Sequence, residues 1–159
     1  MDGNVKPALA SRALASVFGV GFLPLAPGTW ASILAALAWY LLQPWMDIAA
    51  YLPWLLVLAI VTTGLVSVHR LNGAWGQDPS QVVIDEWAGT WIACLLMPHQ
   101  PTAILAALVF FRLFDIYKPM GIRRLEKMHG ATGIMLDDLL AGIYANVVVH
   151  LLLAFHLLK

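Results

Sequence analysis

Five carboxylates stand at the margins of long uncharged stretches: Asp85, Glu86, Asp115, Asp137 and Asp138. Acids in or near lipid are costly and are usually kept for function. Gathered together they repel one another. A hard divalent cation with all-oxygen ligands, Mg2+ or Mn2+, would offset that repulsion. The plainer account is that Asp85 and Asp138 simply cap helix N-termini, where Asp is favoured. Arg112, Asp115 and Lys118 recur at intervals of three, so a helix carries them on one face. Pro119 then stops that helix. A face of cation, acid, cation beside a carboxylate cluster suits a phosphate group, with Arg as a fork and Lys as a point charge. The alternative is an intrahelical ion pair with side chains snorkelling to an interface.

Two further patterns bear on such a site. Pro24-Leu25-Ala26-Pro27-Gly28-Thr29-Trp30 is a breaker-rich loop feeding an apolar run. A turn with Thr29 as N-cap is the simpler reading. The functional reading is an anion site at Gly28 and Thr29, because helix N-termini present free N–H groups. The segments Asp85-Glu86-Trp87-Ala88-Gly89 and Asp138-Leu139-Leu140-Ala141-Gly142 share the pattern D-x-x-A-G. In each, Gly follows Asp by one helical turn on the same face, where it lets another backbone come close. Asp78-Pro79 reads as a turn and cap, and Met128 to Gly133 as a Gly-bearing loop that could shape the site.

The elements that must position these groups are helices in lipid. Of 159 residues, 61% are hydrophobic and only 11% charged, against roughly 25% charged in ordinary soluble domains. Mean hydropathy is +0.80. Nine basic residues balance nine acidic ones and no basic tract exists, which argues against a nucleic-acid partner. Asp, Glu, Lys and Arg are missing from Ala13–Met46, Ile48–Val68, Trp87–Phe111 and Leu139–Leu158. The expected fold is all-α: a single polytopic membrane domain over 1–159, with about four to five membrane-embedded helices. The first stretch predicts a loop or half-helix and then a span from Thr29 to Leu42. The third predicts a short hairpin, Val82–Met97 and Thr102–Lys118, turning through Pro98 and Pro101. If both halves are helical, Asp85 and Asp115 lie about 21–24 Å from the turn and so at one level.

Basic residues set the orientation. Lys6, Arg12, Arg70, Lys118, Arg123, Arg124 and Lys127 fall on the N-terminal side of the membrane, and Lys159 on the other. The positive-inside rule puts the N-terminus and the loops 69–84 and 119–137 in the cytoplasm. Most of the seven Trp fit interfacial belts. Cys94 lacks a disulfide partner, and the N-terminus carries no cleavage signal. Several phosphatase chemistries are excluded: there is no C-x5-R loop, no D-x-D-x-T motif and no G-x-S-x-G elbow.

Taken together and in order, several segments resemble the bacterial phosphatidylglycerophosphatase A family. They are Pro27-Gly28-Thr29-Trp30, Asp78-Pro79 leading to Val83-Ile84-Asp85-Glu86-Trp87-Ala88-Gly89, Phe111 through Pro119, and Gly133 through Gly142. Ala31 and Gly121 depart from the usual pattern without removing a charge. The resemblance implies an inner-membrane phosphatase dependent on Mg2+. It would convert phosphatidylglycerophosphate to phosphatidylglycerol and phosphate at the cytoplasmic face. On that reading Asp85, Glu86, Asp115, Asp137 and Asp138 serve as metal ligands and catalytic acids, and Arg112, Lys118, Gly28 and Thr29 bind phosphate. A small cation or proton transporter is the alternative, and a structural subunit whose acids cap helices is a third.

Overall fold

Among the described residues, regular structure is entirely helical. The computed structural model describes residues 9–46, 48–71, 75, 79–119, 121–126, 128 and 130–158. Asp78, and Lys6, Lys127 and Lys159 of the orientation argument, lie outside them, as does His129 of the Gly-bearing loop. The helices are α1 (Leu9–Ala15), α2 (Pro27–Met46), α3 (Leu52–Leu71), α4 (Ile84–Cys94), α5 (Pro101–Tyr117), α6 (Ile122–Glu126) and α7 (Ala131–Ala154), with a 3-10 turn at Val20–Phe22.

Several expected boundaries move, for identifiable reasons. Helix α2 opens at Pro27, not Thr29, because proline lacks the N–H that a first helical residue leaves unpaired. Ala26 O then accepts from the N–H groups of Thr29 (2.9 Å) and Trp30 (3.3 Å). The hairpin is real but asymmetric. Its first arm has only 11 residues, about 16 Å, and its second has 17, about 26 Å. Residues 131–137, expected in a loop, are helical: Gly133 lets the start of α7 close against the chain before it, since a Cβ there would stand 1.8 Å from Met128 O.

Helix α4 is the centre of the arrangement, packed against α2, α3, α5 and α7. Its contact with α7 is backbone to backbone. A Cβ on Gly142 would lie 2.3 Å from Gly89 O, and one on Gly89 would lie 2.7 Å from Asp138 O. The two glycines of the D-x-x-A-G repeat therefore meet each other at the crossing. The remaining core is carried by Trp39, Phe111, Met46 and Val149, with Trp39 and Trp91 stacked edge to face at 5.5 Å. These two tryptophans belong to the interior, while Trp30, Trp45 and Trp54 are exposed.

The outward faces are apolar. Leu37 and Leu41 on α2, Leu55 and Leu58 on α3, Leu105 and Val109 on α5, and Val147 and Leu151 on α7 are all exposed. Apolar faces of this extent mark a surface for a membrane or another protein, and with two spanning-type helices the chain associates with a membrane. Two helices, Leu52–Leu71 and Ala131–Ala154, are long and apolar enough to cross one. Helix α2 has the length, but its Trp, Tyr and Gln residues lower its hydropathy; α4 is too short.

A helix that ends inside an apolar bundle must find partners for its last carbonyls. Asn146 Nδ2 on α7 lies 3.2, 3.1 and 2.7 Å from the carbonyl oxygens of Ile92, Ala93 and Leu95. Gln43 Nε2 on α2 donates to Met97 O, and Trp91 Nε1 donates to Ala35 O at 3.0 Å.

Candidate active site

The entry to α4 is fixed by the N-terminal elements. Val83 N–H donates to Ala15 O at 2.9 Å. Gly21 sits so tightly on Gln81 that a Cβ would stand 2.0 Å from its carbonyl oxygen. These contacts set Asp85 and Glu86 in the first turn of α4. Neither caps the helix: Val83 holds the N-cap position and makes no side-chain cap. Asp137 and Asp138 lie about two turns inside α7, so Asp138 is not a cap and Asp137 is not in a loop, which corrects both expectations. Asp115 lies near the end of α5, as the spacing predicts.

The helix crossing brings these acids together. Asp85 and Asp138 each stand one turn before a crossing glycine, so they share one side of the α4–α7 contact. One carboxylate oxygen from each of Asp85, Glu86 and Asp138 falls within a group no wider than 4.8 Å. Asp115 is an electrostatic neighbour of both Asp138 and Asp137. All three members of the central trio are mostly shielded, with Asp85 8% and Asp138 4% exposed. Gly28 completes the enclosure from α2. A Cβ there would lie 1.9 Å from Glu86 Oε1, so the Glu86 carboxylate occupies the space that the missing side chain leaves.

Two cations border the acids. Arg112 Nη1 is 2.7 Å from Asp115 Oδ2 and 4.0 Å from Glu86 Oε1, bridging α5 and α4. Asp115 and the Asp85–Glu86 pair are thus at one level, as the hairpin count requires. Lys118 Nζ is 2.7 Å from Asp137 Oδ2. Lys118 reaches it from a left-handed backbone (φ 48°) as the C-cap of α5, a conformation that costs a non-glycine residue about 1–2 kcal/mol. Thr29 is half-buried one residue beyond Gly28.

Five carboxylates against two cations leave an excess of negative charge that a divalent cation would reduce. Among the described residues, Asp85 Oδ1 and Glu86 Oε2 are buried without a hydrogen-bond partner, as is Arg112 Nε. Unpaired buried acceptors are expensive, and here they sit on two of the three acids whose oxygens are close enough to share one ion. An all-oxygen trio of this kind fits Mg2+ by donor chemistry. The unpartnered Arg112 N–H fits a phosphate oxygen. What sequence reasoning missed is the Gly28–Glu86 contact, the Lys118–Asp137 pair and Asn146. A single Asn in an apolar helix carries no spacing signal, and the first two pairs join residues of different helices, which no spacing within one helix relates.

Known proteins resemble this chain over most of its length. The family model described as Phosphatidylglycerophosphatase A matches residues 13–153. A Bacteroides thetaiotaomicron protein named putative phosphatidylinositol-3-phosphatase is 37% identical over 91% of this chain and 94% of its own length. Phosphatidylglycerophosphatase A of Escherichia coli K12 is 34% identical over 86% of this chain and 80% of its own, and that of Haemophilus influenzae 35% over 86% and 84%. No solved structure gives a significant match. With most of its length matched, including every acid of the site, this chain belongs to the phosphatidylglycerophosphatase A family of phosphatases.

Proposed function

We propose that the protein hydrolyses the terminal phosphomonoester of phosphatidylglycerophosphate, releasing phosphatidylglycerol and inorganic phosphate, with Mg2+ as cofactor. The observation that carries this reading is the meeting of Asp85, Glu86 and Asp138 within 4.8 Å, beside an arginine with an unpartnered N–H. Asp85, Glu86 and Asp138 would hold the metal, with Asp115 and Asp137 completing the acidic wall. When bound, Mg2+ supplies a Lewis acid for the phosphoryl oxygens and a more acidic water.

The chain's own residues do the rest. Arg112 turns its free N–H to a phosphate oxygen and offsets the charge that develops during transfer. Lys118 contributes a second positive charge from the rim while Asp137 holds it in place. A carboxylate of the cluster takes the proton of the attacking water, whose oxygen bonds to phosphorus as the bond to the glycerol oxygen breaks. That glycerol oxygen leaves as the lipid alcohol, taking back the proton that the carboxylate removed from water. Glu86, seated against Gly28, is kept from swinging away. On this reading the lipid headgroup would reach the acids from the side of the α4 N-terminus and the α5 C-terminus, with its acyl chains against the apolar helix faces. The basic residues on that side support a multi-pass topology in the bacterial inner membrane with the site facing the cytoplasm.

Family membership sets the transporter alternative aside. A different lipid substrate has a specific observation in its favour, because the Bacteroides relative is named for a phosphatidylinositol phosphate. The test is phosphate release by purified protein in mixed micelles, with phosphatidylglycerophosphate and phosphatidylinositol 3-phosphate compared side by side. The expected result is turnover of the first, abolished by EDTA and restored by Mg2+. Preference for the second would change the substrate assignment. Full activity of both Asp85→Asn and Asp138→Asn would remove the site assignment.

A further inference from the structure

We infer that Asn146 is a positioning residue for the acid cluster, setting how far α4 stands along α7. The inference rests on the metal-site reading above and extends it to a residue remote from the carboxylates. Helices α4 and α7 run in the same direction, since Asp85 faces Asp138 at one end and Ile92–Leu95 faces Asn146 at the other. From Asp138 to Asn146 is eight residues, about 12 Å; from Asp85 to the Ile92 and Ala93 carbonyls is about 11–12 Å. Equal lengths on the two helices keep the acids level when the far ends are level.

The glycine crossing cannot set that level alone. Gly89 and Gly142 fix how closely the backbones approach, but two smooth surfaces can still slide. Sliding is opposed by a directional contact, and the Asn146 amide supplies one, within hydrogen-bond reach of three carbonyl oxygens at once. Gln43 and Trp91 tie the same region to α2, whereas Asn146 sits on the helix that also carries Asp138. Ile92 O keeps the Leu95 N–H at 3.1 Å, but without the Asn146 amide Ala93 O and Leu95 O lose their donor in an apolar setting. They regain partners only if α4 shifts or frays, and either movement displaces Asp85 and Glu86 from Asp138. Asn146 touches neither metal nor substrate in this scheme. Its effect is read in metal affinity.

The experiment uses the full chain in detergent, with Mn2+ binding followed by electron paramagnetic resonance and phosphatidylglycerophosphate hydrolysis titrated with Mg2+. Asn146→Leu is expected to weaken Mn2+ binding and raise the Mg2+ needed for half-activation by about 10–100-fold, the range for residues that orient metal ligands. The KM for the lipid stays near that of the wild type at saturating Mg2+. Asn146→Gln, which keeps an amide donor, recovers part of the loss, and Val147→Ala on the exposed face behaves as wild type. Should Asn146→Leu fail to fold, Asn146→Ser, with a single shorter donor, is read by the same criterion. A folded Leu or Ser variant with wild-type Mn2+ affinity and Mg2+ dependence overturns the positioning role while leaving the metal site intact. Wild-type protein that neither binds Mn2+ nor responds to Mg2+ overturns the metal reading itself, and the positioning role with it.

Discussion

Replacing Gly28 with alanine separates the catalytic role of the α2 N-terminus from its structural one. The added Cβ would stand 1.9 Å from Glu86 Oε1, whereas ordinary contact begins at 3.4 Å, so the carboxylate must retreat by the difference, about 1.5 Å. The obstructing atom is the far end of a flexible side chain, so the helix itself need not move. Alanine is also a better helix residue than glycine by about 1 kcal/mol, which offsets the cost of moving Glu86. Stability should therefore change by less than about 1 kcal/mol. Activity should not be spared. Misplacement of a site group by about 1 Å can cost 10²-fold, equivalent to ~2.7 kcal/mol of barrier. Gly28→Ala is thus expected to lose about 10²-fold in kcat and to need more Mg2+, with thermal unfolding in detergent nearly unchanged. The assay is phosphate release across a Mg2+ titration, paired with a melting curve. Wild-type kcat and Mg2+ dependence in a normally folded Gly28→Ala protein would refute the argument that Glu86 is held in place by the missing side chain.

Gly142→Ala should behave in the opposite way, because its Cβ would lie 2.3 Å from the Gly89 backbone oxygen, which cannot swing aside. The two helices must part, and thermal unfolding should report a loss of about 1–3 kcal/mol along with activity. Lys118→Met removes the 2.7 Å partner of Asp137; about 1–3 kcal/mol of stability and roughly 10²-fold in kcat should go, measured by melting and by phosphate release. Trp91→Phe should cost about 1 kcal/mol more stability than Trp39→Phe, since Trp91 Nε1 donates to Ala35 O while Trp39 Nε1 has no partner. Equal losses in the two melting curves would remove the hydrogen bond as the cause.

Much of the site is legible in the amino-acid sequence, because helical periodicity is local. Intervals of three place Arg112, Asp115 and Lys118 together whatever surrounds them. A count outward from the Pro98–Pro101 turn likewise levels Asp85 with Asp115, and the Arg112 contacts to Asp115 and Glu86 have that geometry. The repeated Asp and Gly also announce two faces able to take a close neighbour. Nothing local states that the neighbours are each other. That is decided where Gly89 and Gly142 cross, a contact between residues 53 positions apart.

The short length of α4 is equally hidden. An apolar run from Trp87 to Met97 reads as continuous helix, yet it ends at Cys94, where Asn146 of α7 takes the Ile92 and Ala93 carbonyls and Gln43 of α2 takes that of Met97 beyond the helix. Composition and charge spacing point to a helical, membrane-associated protein whose acids lie beside Arg112 and Lys118. Only the packing of helices distant in sequence decides which acids share an ion-sized space, which glycine seats Glu86, and which amide ends α4. Spacing within a helix follows from the chain's own geometry, but contact between helices depends on the shapes of both.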